Sequence, residues 1–489
     1  MNGGHETAVL STQVGWILLG ILGLIWVYLG ILWGKKANSM DGYMVAGRNV
    51  GLALGAATAM ATWITSNTTM LAPQFALQLG VWGMLGYSTA CFGLFLFAPM
   101  ARRIRRIMPN GLTSGDFIRL RYGRLAWVLF LLISLFYSFA WLLTMAMAGG
   151  LLMNAVAGIP IPLGMTAILL VCVLYTLFGG LYAVIGTDFV QSIIILVGVV
   201  IVGAVIYHRI DFDATYSTVM AEQPALLYVL LPAAIIAFFN NMLFGFGEIF
   251  HNNVWWSRAF AMRKGVAFKA FLLGGLFWLP IPVAVGFVAL SSDSLGINLP
   301  RPDMLGPLAA SEVLGTAGAV IIFIVLFCSL ASSIDSLLAA TSDLITEDIY
   351  RKGIAPSANE RHLRTASIAI IAGLGFVTWL VCILNITVFE ATLAEMLFAA
   401  GPLVGAVIWP VAAGLFWRKT NAWGVVFAML LGSTLGLWAY FGIGWYSGAL
   451  VGSAVSMAVT LAATLIWPGD FDWATLNESN EELKKGTIK

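Results

Sequence analysis

Residues 61–74 read ATWITSNTTMLAPQ and residues 238–253 read FFNNMLFGFGEIFHNN, and both lie within stretches otherwise oily enough to cross a membrane. Their Thr, Asn, Gly and Pro residues free backbone N–H and C=O groups from the helical ladder. Hydrocarbon cannot satisfy those groups, so such a break is tolerated only where protein or a water-filled cavity does. For either stretch alone, polar packing between helices is a sufficient reading. Both together, at matching places in two halves of one chain, predict two five-helix units of opposite orientation. That is the inverted-repeat plan of secondary transporters, with the binding site where the breaks meet near the bilayer midplane.

The surrounding composition agrees. Of 489 residues, 60% are hydrophobic and only 10% charged, with a mean hydropathy of +0.93; a soluble protein carries about 25% charged residues. Apolar runs predict thirteen spans, at 14–34, 49–74, 80–100, 125–150, 160–180, 187–207, 226–250, 267–291, 314–345, 366–385, 389–416, 421–441 and 446–467, each able to cross ~30 Å of hydrocarbon. Met1–Gln13 has no Lys or Arg and no small-residue cleavage site follows the first run, so that run reads as a span and not a signal peptide. This is an all-α polytopic membrane protein. The organisation expected is an outer N-terminus, first helix and inner loop (1–48), a first repeat (49–207), an outer loop (208–225), a second repeat (226–416), then two further helices and a tail (417–489). With thirteen spans, 23 of the 25 Lys and Arg sort to one side and only Arg209 and Arg301 to the other. The excess of basic residues on cytoplasmic loops therefore predicts N-terminus outside, C-terminus inside, in a plasma (inner) membrane. Arg258 is sorted here with the inner-loop cations.

An ionisable side chain within lipid costs roughly 2.5–3.5 kcal/mol on insertion scales and marks a functional position by default. The spans place five: Asp188, Glu248, Asp335, Glu390 and Glu395. Around Asp335, residues 331–350 read ASSIDSLLAATSDLITEDIY. At ~100° per residue, Ser329, Ser332, Ser333, Asp335 and Ser336 share one side of the helix. A lone Ser in such a helix usually bonds the carbonyl one turn back; an oxygen-rich stripe is what a hard cation wants. The four cysteines (Cys91, Cys172, Cys328, Cys382) have no motif spacing and read as packing residues. The four histidines are scattered, and no Gly-x-Ser-x-Gly or Cys–His arrangement points to an enzyme. No cofactor, nucleic acid or obligate protein partner is indicated; the partners expected are a small solute, sodium ions and the bilayer.

Five stretches carry a family resemblance: DGYMVAGRNVGLALGAAT (41–58), GGLYAVIGTDFVQ (179–191), WWSRAFAMRKG (255–265), SSIDSLLAATSDLITEDIYRK (332–352) and GLFWRKTNAWG (414–424). In order and in span they resemble the sodium:solute symporter family. The resemblance implies a leucine-transporter-like core of ten helices, with one helix before it and two after. It also implies a sodium site made by the carbonyls of Met60, Trp63 and Ser329 and the hydroxyls of Ser332 and Ser333, the alignment at 60–63 being looser by a residue. Asp188 matches a position that in some members belongs to a second cation site or the inner gate, and Asp335 faces the same vestibule or pairs with the basic loops.

The solute is less defined. Sugar-transporting relatives carry Asn, Glu and Gln where this chain reads TWITSN, and the aromatic pair in HNNVWWSR is more similar to the urea-transporting branch. That branch's acidic-amide pair before the aromatics is Asn252-Asn253 here. Trp63, Asn67, Gln74, Tyr87, Asn241, Glu248 and Trp255 are the expected pocket, suiting a small polar solute that is urea-like or amino-acid-like. A proton-coupled symporter and a facilitator or channel-like permease are the competing functions; the absence of a signalling domain after the last span disfavours a sensor.

Overall fold

The computed structural model describes residues 9–477 apart from 38, 229 and 298–300. In chain order the helices are α1 (Thr12–Gly34), α2 (Met40–Val45), α3 (Leu52–Trp63), α4 (Ser66–Ser88), α5 (Cys91–Ile107), α6 (Ser114–Tyr122) and α7 (Arg124–Ala157). Then come α8 (Ile161–Thr176), α9 (Gly180–Tyr207), α10 (Phe212–Glu222), α11 (Pro232–His251), α12 (Asn253–Ala261), α13 (Val266–Trp278) and α14 (Pro280–Leu290). The chain continues through α15 (Leu305–Leu344), α16 (Glu360–Leu384), α17 (Leu393–Phe398), α18 (Gly401–Phe416), α19 (Ala422–Gly442) and α20 (Gly448–Ile466). Every expected span falls on a helix or a broken pair of helices. Among the described residues, eleven are long and apolar enough to cross a membrane, and α3 and α8 are shorter apolar helices.

Two of the spans break as expected. The first stops at Trp63, passes through Ile64 and an extended Thr65, and resumes as α4. The second stops at His251, turns at an extended Asn252 and resumes as α12; this break lies at the end of the quoted stretch, beyond its glycines. Those glycines serve contact instead: a Cβ on Gly247 would meet the Val404 carbonyl oxygen at 2.2 Å, so α11 and α18 touch through backbone. Within α4, Gly80 takes φ +65°, and a Cβ there would lie 1.8 Å from the Leu226 carbonyl oxygen.

The span expected at 389–416 starts differently. A wider turn over Asn385–Phe389 ends at Glu390, which is left-handed at φ +54° and exposed. Glu395 closes a capping box with Thr392 at the start of α17. Neither carboxylate is mid-span; both serve an exposed helix junction.

Around the first break, α3 packs on α13 and α9, and α15 is laid against α9 and α7. At the end rich in Lys and Arg, a buried network joins α6, α7 and the extension of α15. Lys352 Nζ lies 2.5 Å from Asp116 Oδ1 and 2.7 Å from Asp348 Oδ1. Asp348 also accepts from Thr113 Oγ1 at 2.6 Å and Trp127 Nε1 at 2.9 Å. Burial opposes the Asp116 charge, but the Lys352 ammonium and the Leu112 and Thr113 N–H groups outweigh it and hold that carboxyl below its ordinary range.

Candidate functional site

The break in the first span is held open by its own hydroxyls. Thr65 accepts from Thr68 N at 3.3 Å as the N-cap of α4, and Thr68 Oγ1 donates to the Trp63 carbonyl at 3.2 Å. Such capping satisfies groups that the ladder no longer can. In the second break Asn252 caps α12, accepting from Val254 N at 2.8 Å. Asn253 accepts from Ser114 N and donates to the Ala340 carbonyl, each at 2.9 Å. The amide pair is therefore structural.

Against the first break lies the oxygen stripe of α15, fully buried. Ser332 Oγ donates to the Ala61 carbonyl at 3.0 Å and the Ser329 carbonyl at 3.2 Å; Ser333 Oγ donates to the Ser329 carbonyl at 2.9 Å. Ser332 thus ties α15 to the α3 terminus, whereas the Ser329 and Ser333 hydroxyls bond carbonyls one turn back on α15 itself. The α3 carbonyl that Ser332 bonds is that of Ala61, one residue from Met60. The Met60 carbonyl accepts from Ile64 N at 2.8 Å and that of Trp63 from Thr68 Oγ1 at 3.2 Å.

One layer nearer the basic end, Arg258 is wholly buried and organises a polar cluster. Its Nη2 donates to Asp188 Oδ2 at 3.2 Å, Thr62 Oγ1 at 2.6 Å and Ser336 Oγ at 2.7 Å, and its Nε to Thr58 Oγ1 at 3.0 Å. Thr58 Oγ1 donates in turn to Asp188 Oδ2 at 2.5 Å. One guanidinium therefore ties α3, α9, α12 and α15. Arg258 is no loop cation, as the sorting of basic residues had it. Asp335 does not reach the basic loops either. It is buried, 3.4 Å from Thr187 Oγ1 and 3.3 Å from Ser336 Oγ, and makes no ion pair among the described residues. The cluster holds two carboxylates and one cation. Ser336 Oγ donates to the Ser332 carbonyl at 2.6 Å, which links the cluster to the serine site.

Beyond the first break sits a cavity of about 30 Å³, room for ~2–3 waters at one water-sized sphere each. Trp63, Trp141, Trp278, Tyr87, Phe244 and Phe398 wall it, and Thr65, Asn67, Asn241 and Glu248 supply polar groups. Asn67 Oδ1, both polar atoms of Asn241 and Trp63 Nε1 have no partner among the described residues. Five of the seven expected pocket residues line it. Gln74 does not, and Trp255 supports Trp63 from behind, with ring centroids 5.2 Å apart. Trp141, Trp278, Phe244 and Phe398 were not anticipated. Phe398 of this wall packs edge-on against Phe75 and Trp445, which stack on each other, with centroids 4.8–5.3 Å apart.

Residues 43–432 match the sodium:solute symporter family. The urea-proton symporter DUR3 of rice is 26% identical over 96% of this chain and 73% of its own length. The urea active transporter of Saccharomyces cerevisiae is 24% identical over 87% of this chain, which spans only 62% of that protein. Among solved structures, the substrate-bound outward-open state of a Na+-coupled sialic acid symporter superposes with a TM-score of 0.76 at 16% identity, covering 94% of this chain and 99% of that one. That likeness fixes the fold as leucine-transporter-like.

Proposed function

This chain belongs to the sodium:solute symporter family, and from that premise we propose that it couples sodium entry to uptake of a small, planar, uncharged amide of the urea type. That it is a multi-pass solute symporter and not an enzyme follows from the family. The observation that carries the finer reading is the cavity. Its room of about 30 Å³, ~2–3 spheres at ~10–15 Å³ per water-sized sphere, favours a very small solute over a bulky one. The unpartnered Asn67 Oδ1 and Asn241 Oδ1 and the Glu248 carboxylate accept N–H groups, and Trp63 Nε1 and Asn241 Nδ2 donate to a carbonyl. Aromatic faces on both sides favour a flat solute.

For the ion, the buried hydroxyls of Ser332 and Ser333 and the carbonyls of Ser329, Met60 and Trp63 offer only hard oxygen ligands. Asp188, locked to Arg258, serves as the inner gate in this reading. The basic end faces the cytoplasm of a cell whose plasma membrane holds the protein, and 49–207 and 226–416 are the two repeats. A second reading, coupling to a proton, is favoured by one observation: Asp335 leaves its cluster one cation short. Urea uptake into proteoliposomes tests both. Sodium coupling requires uptake to stop when choline replaces sodium at constant pH. Uptake driven by a pH gradient alone, with no sodium present, would transfer the coupling to the proton.

A further inference from the structure

A second cavity opens at the basic end, and nothing in the transport cycle uses it. Its volume is about 590 Å³, and Arg102, Arg103, Arg105, Arg106 and Lys264 line it together with Phe416. We propose that it binds the phosphate headgroup of an anionic phospholipid.

The case begins with α5. Phe92, Leu96, Pro99, Arg103 and Arg106 follow one another at steps of four and three residues, so they share one face of the helix. Phe92 and Leu96 are 45% and 46% exposed, as befits side chains against acyl chains. The same stripe runs directly into the arginines. Phe416, 52% exposed, puts a second lipid-facing ring at the cavity's edge. The cavity therefore lies where chain and headgroup meet.

Its cations are arranged, not scattered. Arg105 is fixed by its Nε donating to the Met262 carbonyl at 3.1 Å and its Nη1 to the Pro109 carbonyl at 2.6 Å. Arg103 donates to the Leu415 carbonyl and lies 4.3 Å from the Trp473 ring centroid. Arg102, Arg106 and Lys264 are exposed and form no ion pair among the described residues, and no carboxylate lines the cavity. Arginines that merely orient a helix spread around the interface and reach for water. Four arginines and a lysine around one cavity, with no carboxylate among its described lining residues, match phosphate oxygens, which guanidinium groups hold in pairs. Basic pockets between membrane helices take anionic headgroups for this reason. The bound lipid would bridge α5, the turn between α12 and α13, the end of α18 and the segment after α20.

Purified full-length protein in neutral-lipid nanodiscs supplies the test, with thermal stability read as phosphatidylglycerol is added. A ligand of the native state raises that stability. Phosphatidylglycerol should raise the melting temperature where phosphatidylcholine and glycerol 3-phosphate do not. Arg102→Gln with Arg106→Gln should raise the lipid concentration needed at least tenfold. Lys35→Gln with Lys36→Gln removes the same charge elsewhere at the basic end and should leave it unchanged. Equal loss in both double variants would reduce the effect to bulk attraction and overturn the site. So would an equal response to glycerol 3-phosphate, which would make the ligand a soluble anion. Glu478, Glu481 and Glu482 follow soon after Asn477, which also lines the cavity. A lipid response that appears only in a chain ending at Asn477 would give the cavity to that acidic segment and overturn the lipid reading.

Discussion

Asp188, Asp335 and Arg258 form a charge count that single substitutions can change one unit at a time. With both acids ionised the cluster is one negative charge in excess, and none of the three is exposed. Arg258→Gln would leave two carboxylates facing each other without a cation; losing one partner of a buried pair costs about 3–5 kcal/mol. Asp188→Asn instead leaves one acid and one base, so it should keep its yield and melting temperature while slowing or uncoupling transport. The prediction is an order: wild type and Asp188→Asn close together in stability, Arg258→Gln well below, and the double variant partly restored. Size-exclusion yield and melting curves read it, and a stable Arg258→Gln would refute the count. One layer away, under the proposed sodium coupling, Ser332→Ala or Ser333→Ala would remove an oxygen ligand and should raise the sodium concentration for half-maximal uptake with expression unchanged. If both variants keep the wild-type sodium dependence, the ion binds elsewhere. These acids and serines were legible in the sequence because polar groups are rare in an apolar span. Arg258 was not, since a cation near a helix end reads as a loop residue until burial shows otherwise. Trp141 and Trp278 were equally silent, because an aromatic residue in an oily helix has no sign that says which face it takes.

At the scale of elements, the breaks were readable and their positions were not. Thr, Asn and Pro announced the interruption after Trp63. In the second broken span the glycines drew attention to 245–248, yet Asn252 makes the turn and the glycines admit neighbouring backbone. Glycine's two uses, bending and close approach, look alike in one sequence. Glu390 and Glu395 misled for a related reason: apolar residues flank a junction whose exposure only the fold reveals. The Lys352 network makes the clearest element-level prediction. Lys352→Gln leaves Asp116 and Asp348 buried against each other, 3% and 0% exposed, at a cost on the order of 3–5 kcal/mol. The loss should appear as a lower melting temperature and early proteolysis between α6 and α7. Unchanged melting would mean that the network is not a clamp.

For the molecule as a whole, the all-helical membrane architecture and a one-sided distribution of cations were visible in the sequence. The packing of α19 and α20 on α18 was not, because both helices are apolar around most of their surface. The transport reading also has a thermodynamic ceiling. At ~100 mV one entering sodium ion releases about 2.3 kcal/mol, and a tenfold gradient adds about 1.4 kcal/mol, together enough to concentrate a neutral solute about 500-fold. Vesicles should approach that ratio with one sodium per solute and exceed it only with two. Accumulation should vanish when an ionophore collapses the gradient; equilibration at the same rate without sodium would mark a facilitator.

The small central cavity has a further consequence, for osmosis. It is walled by the aromatic rings of Trp63, Tyr87, Trp141, Phe244, Trp278 and Phe398, with room for ~2–3 waters. A chain of waters cannot run through such a seal, so each turnover moves a handful of molecules at most. Proteoliposomes carrying the protein should therefore shrink in hypertonic sucrose no faster than empty ones. Rapid shrinkage would reveal a continuous wet path and return the permease reading to first place.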